Sequence, residues 1–218
     1  MAASDVIRPR VVLVTDPSYG DDMIVRCVER AGASLPPVAV AVQLRDKARG
    51  LGSFRLFASR LRVVARSVGA SLVVNGRPEV ARDIGADGVH LGAGAESVDR
   101  VRSVLPGAWV SVATHSDDDV RRAVDEGADA VVVSPIFSSR PPGIGSTTKE
   151  GRGLTALRSA RAIAGGAIVI ALGGVDANNA VACGAAGAHA VAVMKALLGS
   201  ASPERVARAI HDAVVPRW

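Results

Sequence analysis

Eight short runs of almost continuously apolar residues, each followed by a longer amphipathic stretch, constrain this chain more than any other feature of its sequence. The runs are Val11–Thr15, Val38–Gln43, Ser71–Asn75, Gly88–Leu91, Trp109–Ala113, Ala130–Ser134, Ile168–Ala171 and Ala190–Val193. A strand with one face in water alternates apolar and polar residues. A strand that is apolar throughout is covered on both faces, as in a parallel sheet packed against helices. The stretches between the runs, Phe54–Val68 and Asp117–Glu126 among them, have helical spacing. Ser116 ahead of Asp117–Asp119 reads as a helix start with acidic residues at the positive end of the dipole, and Pro203-Glu204 opens a last helix. Gly32, Gly69, Gly85, Gly127 and Gly187, each followed by Ala, read as left-handed C-caps.

Two α/β architectures accommodate such alternation: a closed (β/α)8 TIM barrel and an open, doubly wound sheet. The count of eight and the residues at the strand ends favour the barrel, and residues 1–218 are read as one such domain. A length of 218 residues suits it, since these barrels commonly span roughly 200 to 250 residues. Hydrophobic residues make up 49% of the chain but aromatics only 3%, so the core must be built from Val, Ala, Leu and Ile.

Several function classes are disfavoured. No segment approaches the roughly 18 uninterrupted apolar residues of a membrane span, and Met1–Arg10 lacks the apolar core of a secretory signal, which suggests the cytoplasm. Cys27 and Cys183 give neither a disulfide framework nor metal-ligand spacing and read as buried small residues on helices. The net charge of +5 invites a nucleic-acid reading. However, the basic residues are scattered and stacking aromatics are few, so a field that favours small anionic metabolites is the simpler account.

In a parallel barrel the residues just after each strand form the site. Here these are Asp16, Gln43-Leu44-Arg45-Asp46-Lys47, Asn75-Gly76-Arg77, His90 with Gly92, Thr114-His115, Ser134-Pro135, Gly173-Gly174 and Met194-Lys195. Of 26 basic residues only Lys47, Lys149 and Lys195 are lysines, and all three fall on these loops. A chain that uses Arg for generic positive charge has placed its compact, flexible ammonium groups where phosphate oxygens would bind. The paired Gly173 and Gly174 let backbone amides approach an anion closely. His115, just past the fifth strand, is the candidate proton carrier. His90, inside the fourth run, is read evenly as a core residue or a functional one, while His189 and His211 are read as structural. The segment Ser138–Gly153, rich in Ser, Pro, Gly and Thr, is a long loop at the same end, placed for a lid or a binding loop.

These motifs resemble the superfamily of thiamine-phosphate synthase and its thiazole tautomerase (TenI-type) relatives. The resemblance runs nearly end to end. It is carried by Leu13-Val14-Thr15-Asp16, Gln43-Leu44-Arg45-Asp46-Lys47, Val74-Asn75, Ala86-Asp87-Gly88-Val89-His90-Leu91-Gly92, Ser134-Pro135-Ile136-Phe137 and Ala171-Leu172-Gly173-Gly174-Val175. For a synthase it implies joining an aminopyrimidine diphosphate to a thiazole phosphate with release of pyrophosphate. Arg45, Lys47 and Asn75 would hold the pyrophosphate, Thr148 and Lys149 would close on it, and Gln43 would touch the pyrimidine. Gly173 and Gly174, with Lys195 nearby, would hold the thiazole phosphate. Magnesium is the implied cofactor of that branch, and the partners are small phosphorylated molecules, with homo-oligomerisation left open.

The departures from the synthase pattern concern that metal. The pattern puts an Asp directly after the Asn of the third strand and another in the turn after His-Leu-Gly. This chain has Gly76 at the first position and Ala93-Gly94-Ala95 across the second. Ala113 also replaces a serine of the pattern. The tautomerase branch resembles this chain in Asn75-Gly76-Arg77 and in Glu150-Gly151-Arg152-Gly153. Its reaction needs a positioned acid–base and a phosphate anchor but no metal. The sequence therefore favours a metal-independent thiazole tautomerase, with His115 and Lys149 as the catalytic candidates and no cofactor. The synthase comes second, and a catalytically silent phosphate-ligand-binding or regulatory protein third.

Overall fold

The computed structural model describes residues 7–92, 96–139 and 147–214. Eight parallel strands pair in sequence order and close into a barrel, with the first strand beside the eighth. The strands are β1 (Val11–Val14), β2 (Val40–Leu44), β3 (Ser71–Asn75), β4 (Gly88–Leu91), β5 (Trp109–Thr114), β6 (Ala130–Val133), β7 (Ile168–Leu172) and β8 (Ala190–Val193). The chain is a (β/α)8 TIM barrel, and the open-sheet alternative falls because β1 and β8 are hydrogen-bonded neighbours.

The helices are α1 (Asp21–Gly32), α2 (Leu51–Ser67), α3 (Pro78–Asp83), α4 (Val98–Val104), α5 (Asp117–Asp125), α6 (Gly153–Ile163), α7 (Ala180–Ala185), α8 (Lys195–Leu198) and α9 (Pro203–Val214), and a 3-10 turn spans Pro17–Tyr19. The Ser116 hydroxyl caps α5 by accepting from the Asp119 amide. The short α8 directly after β8 is an element the sequence reading did not assign. Among the described residues no helix is long and apolar enough to cross a membrane.

The apolar runs divide by parity. Along β1, Val11 and Leu13 pack into the layer between strands and helices, whereas Val12 and Val14 fill the barrel interior. The interior cluster also takes Ala41, Val73, Trp109, Ala130, Val132, Ile170, Ala190 and Ala192. Small and branched residues therefore do fill a core that has almost no aromatic side chains. The same period of two puts Gln43, Asn75, His90 and Ser111 on the interior face, in line with Ala41, Val73, Gly88 and Trp109. One half of the barrel, β2 to β5, thus carries its polar layer toward the carboxyl ends of the strands. Removing this layer from water is tolerable because its members bond to one another.

Two local expectations are corrected. Gly69, Gly85, Gly127 and Gly187 have positive φ as expected of C-caps, but Gly32 does not and belongs to α1 itself. Its reason for being glycine is room, since a Cβ there would lie 2.3 Å from a methyl of Val68. The second run begins at Val40 rather than Val38. Val38 sits in a turn at φ 61°, and the Ala39 amide reaches back to the Pro36 carbonyl at 3.2 Å. Cys27 and Cys183 are buried in α1 and α7. Burial pushes their thiols up to about 12 and about 11, so both stay protonated near neutral pH.

Candidate active site at the strand carboxyl ends

The polar layer opens upward into the loops that follow the strands. Gln43 is buried, and its Nε2 donates to Asn75 Oδ1 at 3.2 Å, so two residues 32 apart in sequence form one amide pair. His90 is also buried, and its Nδ1 lies 2.9 Å from the Ser111 hydroxyl. Burial first, and then the nearby positive charge of Arg45, lowers the His90 pKa to about 4. This settles the even reading of His90 toward a neutral core histidine.

Arg45 begins the β2–α2 loop, which is fixed at several points. The Thr15 hydroxyl accepts from the Arg45 amide at 2.9 Å and donates to the Arg45 carbonyl at 3.2 Å. Asp46 accepts from the amides of Ala48 and Arg49 and from Arg49 Nε, the last at 2.7 Å. Arg49 also makes a two-pronged pair with Asp21 of α1, at 2.8 and 2.6 Å, which holds the Asp21 carboxyl below the usual carboxylate range. Lys47, between these anchored residues, is exposed.

His115 follows β5. Its Nδ1 lies 2.9 Å from the Ser134 carbonyl, which can only accept, so Nδ1 carries the proton and Nε2 is left with its lone pair. The His115 amide donates to Asp119 at 2.9 Å, fixing the residue from the backbone side and holding Asp119 below the usual carboxylate range. The other face of the mouth is the β6–α6 connection. Ser139 and Lys149 exchange backbone hydrogen bonds at 3.0 and 2.8 Å as an antiparallel bridge, and Arg152 and Gly153 donate back to Pro135 and Ile136. The described ends of this strap are therefore pinned to each other and to the barrel, with Thr148 and Lys149 exposed. Its residues 140–146 lie outside the described residues, as does Ala93-Gly94-Ala95.

Gly173 and Gly174 follow β7 with φ 100° and 63°. A Cβ on Gly173 would lie 2.7 Å from Pro135 Cα, and one on Gly174 would lie 2.8 Å from Phe137 Cβ. Both conformation and crowding therefore demand glycine. The Gly173 carbonyl accepts from Phe137 and the Gly174 carbonyl from Asn179 Nδ2. Among the described residues neither glycine amide donates a hydrogen bond, so both are available to an anion. Lys195 opens α8 beside them and is exposed.

The lysine argument gains a physical basis here. Among the described residues every ion pair uses an arginine or a histidine, and none uses a lysine. The arginines hold the surface together, while Lys47, Lys149 and Lys195 all stand at the mouth. Asp16, by contrast, is buried and accepts from the Ser18 amide at 3.0 Å, a turn-forming role. His189 also proves structural, accepting from the Val169 amide at 3.0 Å. The sequence reading placed Arg77 among the strand-end residues but missed its contact with the β2–α2 loop, and it missed Arg49 and Ser111. The one signal for the arginines was the placement of Phe54 and Phe57 one turn apart at the start of α2, in a chain with only three phenylalanines.

A magnesium site of the synthase kind does not fit the residues present. Gly76 offers no oxygen donor at the position where the synthase pattern has an Asp. Among the described residues no three His, Cys, Asp or Glu side chains are grouped to hold a metal.

Similarity to known proteins extends over most of the chain. The family model described as thiamine monophosphate synthase matches residues 11–197. The thiamine-phosphate synthase of Anaeromyxobacter dehalogenans is 39% identical over 189 residues, covering 85% of this chain and 82% of that protein. The one from Methanoregula boonei is 35% identical over 81% of this chain and 80% of its own length. The one from Thermus thermophilus is 32% identical over 93% and 96% respectively. Among solved structures, the thiamine phosphate pyrophosphorylase of Pyrococcus furiosus superposes with a TM-score of 0.82 at 22% identity, covering 95% of this chain and 96% of that one, which supports the fold. This chain belongs to the thiamine monophosphate synthase family.

Proposed function

We propose that this protein is a transferase of the thiamine-phosphate synthase type, which joins an aminopyrimidine diphosphate to a thiazole phosphate and releases pyrophosphate. The observation that carries the reading is the nearly full-length similarity to relatives named as synthases, at 32 to 39% identity. This reverses the order of preference drawn from the motifs alone, in which the tautomerase came first.

The reading assigns the polar groups of the mouth to two anions. Arg45 and Lys47 after β2, with Thr148 and Lys149 after β6, would serve the diphosphate. Gly173, Gly174 and Lys195, after β7 and β8, would serve the thiazole phosphate. A reaction between two phosphorylated substrates uses both sets, whereas isomerisation of one substrate needs only one. In this reading Gln43, oriented by Asn75, recognises the pyrimidine. Arg45, Lys47 and Lys149, in this reading, stabilise the negative charge that grows as the diphosphate leaves. With no fitting magnesium site, that stabilisation falls to these cations.

The tautomerase is the second reading, favoured by Gly76 and by a His115 whose Nε2 is free to exchange a proton. The test is a coupled assay for thiamine phosphate from the two phosphorylated substrates, with magnesium and with EDTA. Product formation supports the synthase. Its absence, with the thiazole phosphate still binding, shifts the reading to the tautomerase, for which the carboxythiazole tautomer is the substrate to offer. No turnover of either leaves a ligand-binding protein.

A further inference from the structure

Gly76 and Arg77 both adopt left-handed backbone, at φ 63° and 55°. An arginine rarely does so without something to hold it there. Here the turn brings the Arg77 guanidinium over the ring of Phe54, 4.1 Å from its centroid, and Nη2 donates to the Arg49 carbonyl at 3.1 Å. Nη1 is buried without a hydrogen-bond partner, so the ring and this one carbonyl are what hold the group. Arg49 makes the matching contact one helical turn along, with its guanidinium 4.7 Å from the Phe57 centroid and its donors on Asp21 and Asp46. The β2–α2 loop is thus gripped from β1 by Thr15, from α1 by Asp21 and from the β3–α3 turn by Arg77.

We infer that Arg77 is a positioning residue for the anion-binding loop: its hold on the Arg49 carbonyl presets the backbone that carries Arg45 and Lys47. The left-handed Gly76-Arg77 turn brings the guanidinium back to the Arg49 carbonyl, so the backbone that carries Arg45 and Lys47 is held before any anion binds. A loop held beforehand loses less entropy on binding than a mobile one. The substrate reading above enters only through the choice of diphosphate as the anion.

Three amides report directly on the loop: Arg45 on the Thr15 hydroxyl, and Ala48 and Arg49 on Asp46. Their exchange is measured by NMR in the native protein, Arg77→Ala and Arg77→Lys, together with the affinities for inorganic pyrophosphate and for thiazole phosphate in EDTA. Arg77→Ala should speed exchange at these amides about ten-fold and weaken pyrophosphate binding by a similar factor. Thiazole phosphate binding and amides on the far side of the barrel should not change. Arg77→Lys keeps the charge but loses the planar face and should follow Arg77→Ala; it also decides the matter if Arg77→Ala fails to fold. Unchanged loop exchange overturns the inference. So does faster exchange with unchanged pyrophosphate affinity, because the loop would then be held for stability alone. A native protein that binds no pyrophosphate removes the substrate reading, while the exchange data still decide whether Arg77 grips the loop.

Discussion

His115 gives its Nδ1 proton to the Ser134 carbonyl at 2.9 Å, so that the end of β6 sets the tautomer of an imidazole mounted at the end of β5. A base that must take a proton from substrate needs this arrangement, whereas a group that only lines a pocket does not. The two readings of the mouth therefore part at this residue. His115→Ala should lower carboxythiazole tautomerisation roughly 10²- to 10⁴-fold, the usual contribution of a positioned acid–base. Thiamine phosphate formation, whose difficult step is loss of a diphosphate, should stay within about ten-fold of the native rate. Measuring both turnovers on one preparation separates the mechanisms, and a large loss in the transfer reaction would give His115 a role in it.

Lys149 stands on the strap after β6 with an exposed ammonium and a backbone fixed by Ser139. Its removal should therefore leave folding unchanged and act on the anion. We expect Lys149→Ala to weaken pyrophosphate binding about 10- to 100-fold, from the roughly 1.5–3 kcal/mol of a charged hydrogen bond, with Tm unchanged. Lys149→Arg should recover only part of this, because a planar fork presents its donors differently from a compact ammonium. Titration calorimetry with inorganic pyrophosphate provides the measurement, and equal affinity in Lys149→Ala would take the residue out of the site.

Gly173→Ala should be costly on two counts. The residue is at φ 100°, and the added Cβ would sit 2.7 Å from Pro135 Cα, a backbone atom that cannot move aside cheaply. A loss of about 2–4 kcal/mol is expected, lowering Tm by roughly 5–15 °C in a domain of this size. Thiazole phosphate affinity should fall with it, because the Gly173 and Gly174 amides would be displaced. Thermal unfolding with and without that ligand tests both effects.

The barrel was legible in the sequence because both faces of every strand are buried, which turns eight strands into eight unbroken apolar runs. The polar layer was legible for a related reason. Gln43, Asn75 and His90 interrupt those runs at the carboxyl ends, and a polar residue removed from water there requires a partner or a ligand. The grip on the β2–α2 loop was not legible. Asp21, Arg49 and Arg77 are spaced 28 residues apart, and nothing local distinguishes them from the other arginines and aspartates of the surface. Gly32 was misread because a glycine needed for close helix packing and one needed for a left-handed cap look alike until Val68 is seen against it.

His90 makes stability depend on pH. Its folded pKa of about 4 lies below the ordinary histidine value of 6.5, so the unfolded chain binds the proton more readily. Its contribution is intact above pH 6.5 and declines as pH falls toward 4, with a full extent of roughly 3 kcal/mol. His189, also lowered by burial and by Arg161, Arg10 and Arg8, acts in the same direction. Denaturant titrations at pH 7 and pH 5 should show the native protein losing stability on acidification. His90→Gln, which cannot charge, should lose less, and parallel losses in the two proteins would show that His90 is not the group responsible.

Gly76→Asp with Ala95→Asp tests whether the missing carboxylates are what separates this chain from a metal-dependent synthase. The first change is sterically free, because a Cβ at position 76 meets nothing within 4 Å and Asp tolerates left-handed backbone better than most residues. The barrel should therefore fold with its stability little changed. The two carboxylates would restore, at the positions where the synthase pattern has them, oxygen ligands of the type magnesium takes, and pyrophosphate binding should become magnesium-dependent. If thiamine phosphate formation also rises with magnesium, the rest of the mouth has kept its synthase geometry. If magnesium binds and the rate does not move, the preset cations of the β2–α2 loop are already supplying the stabilisation that the metal would have added.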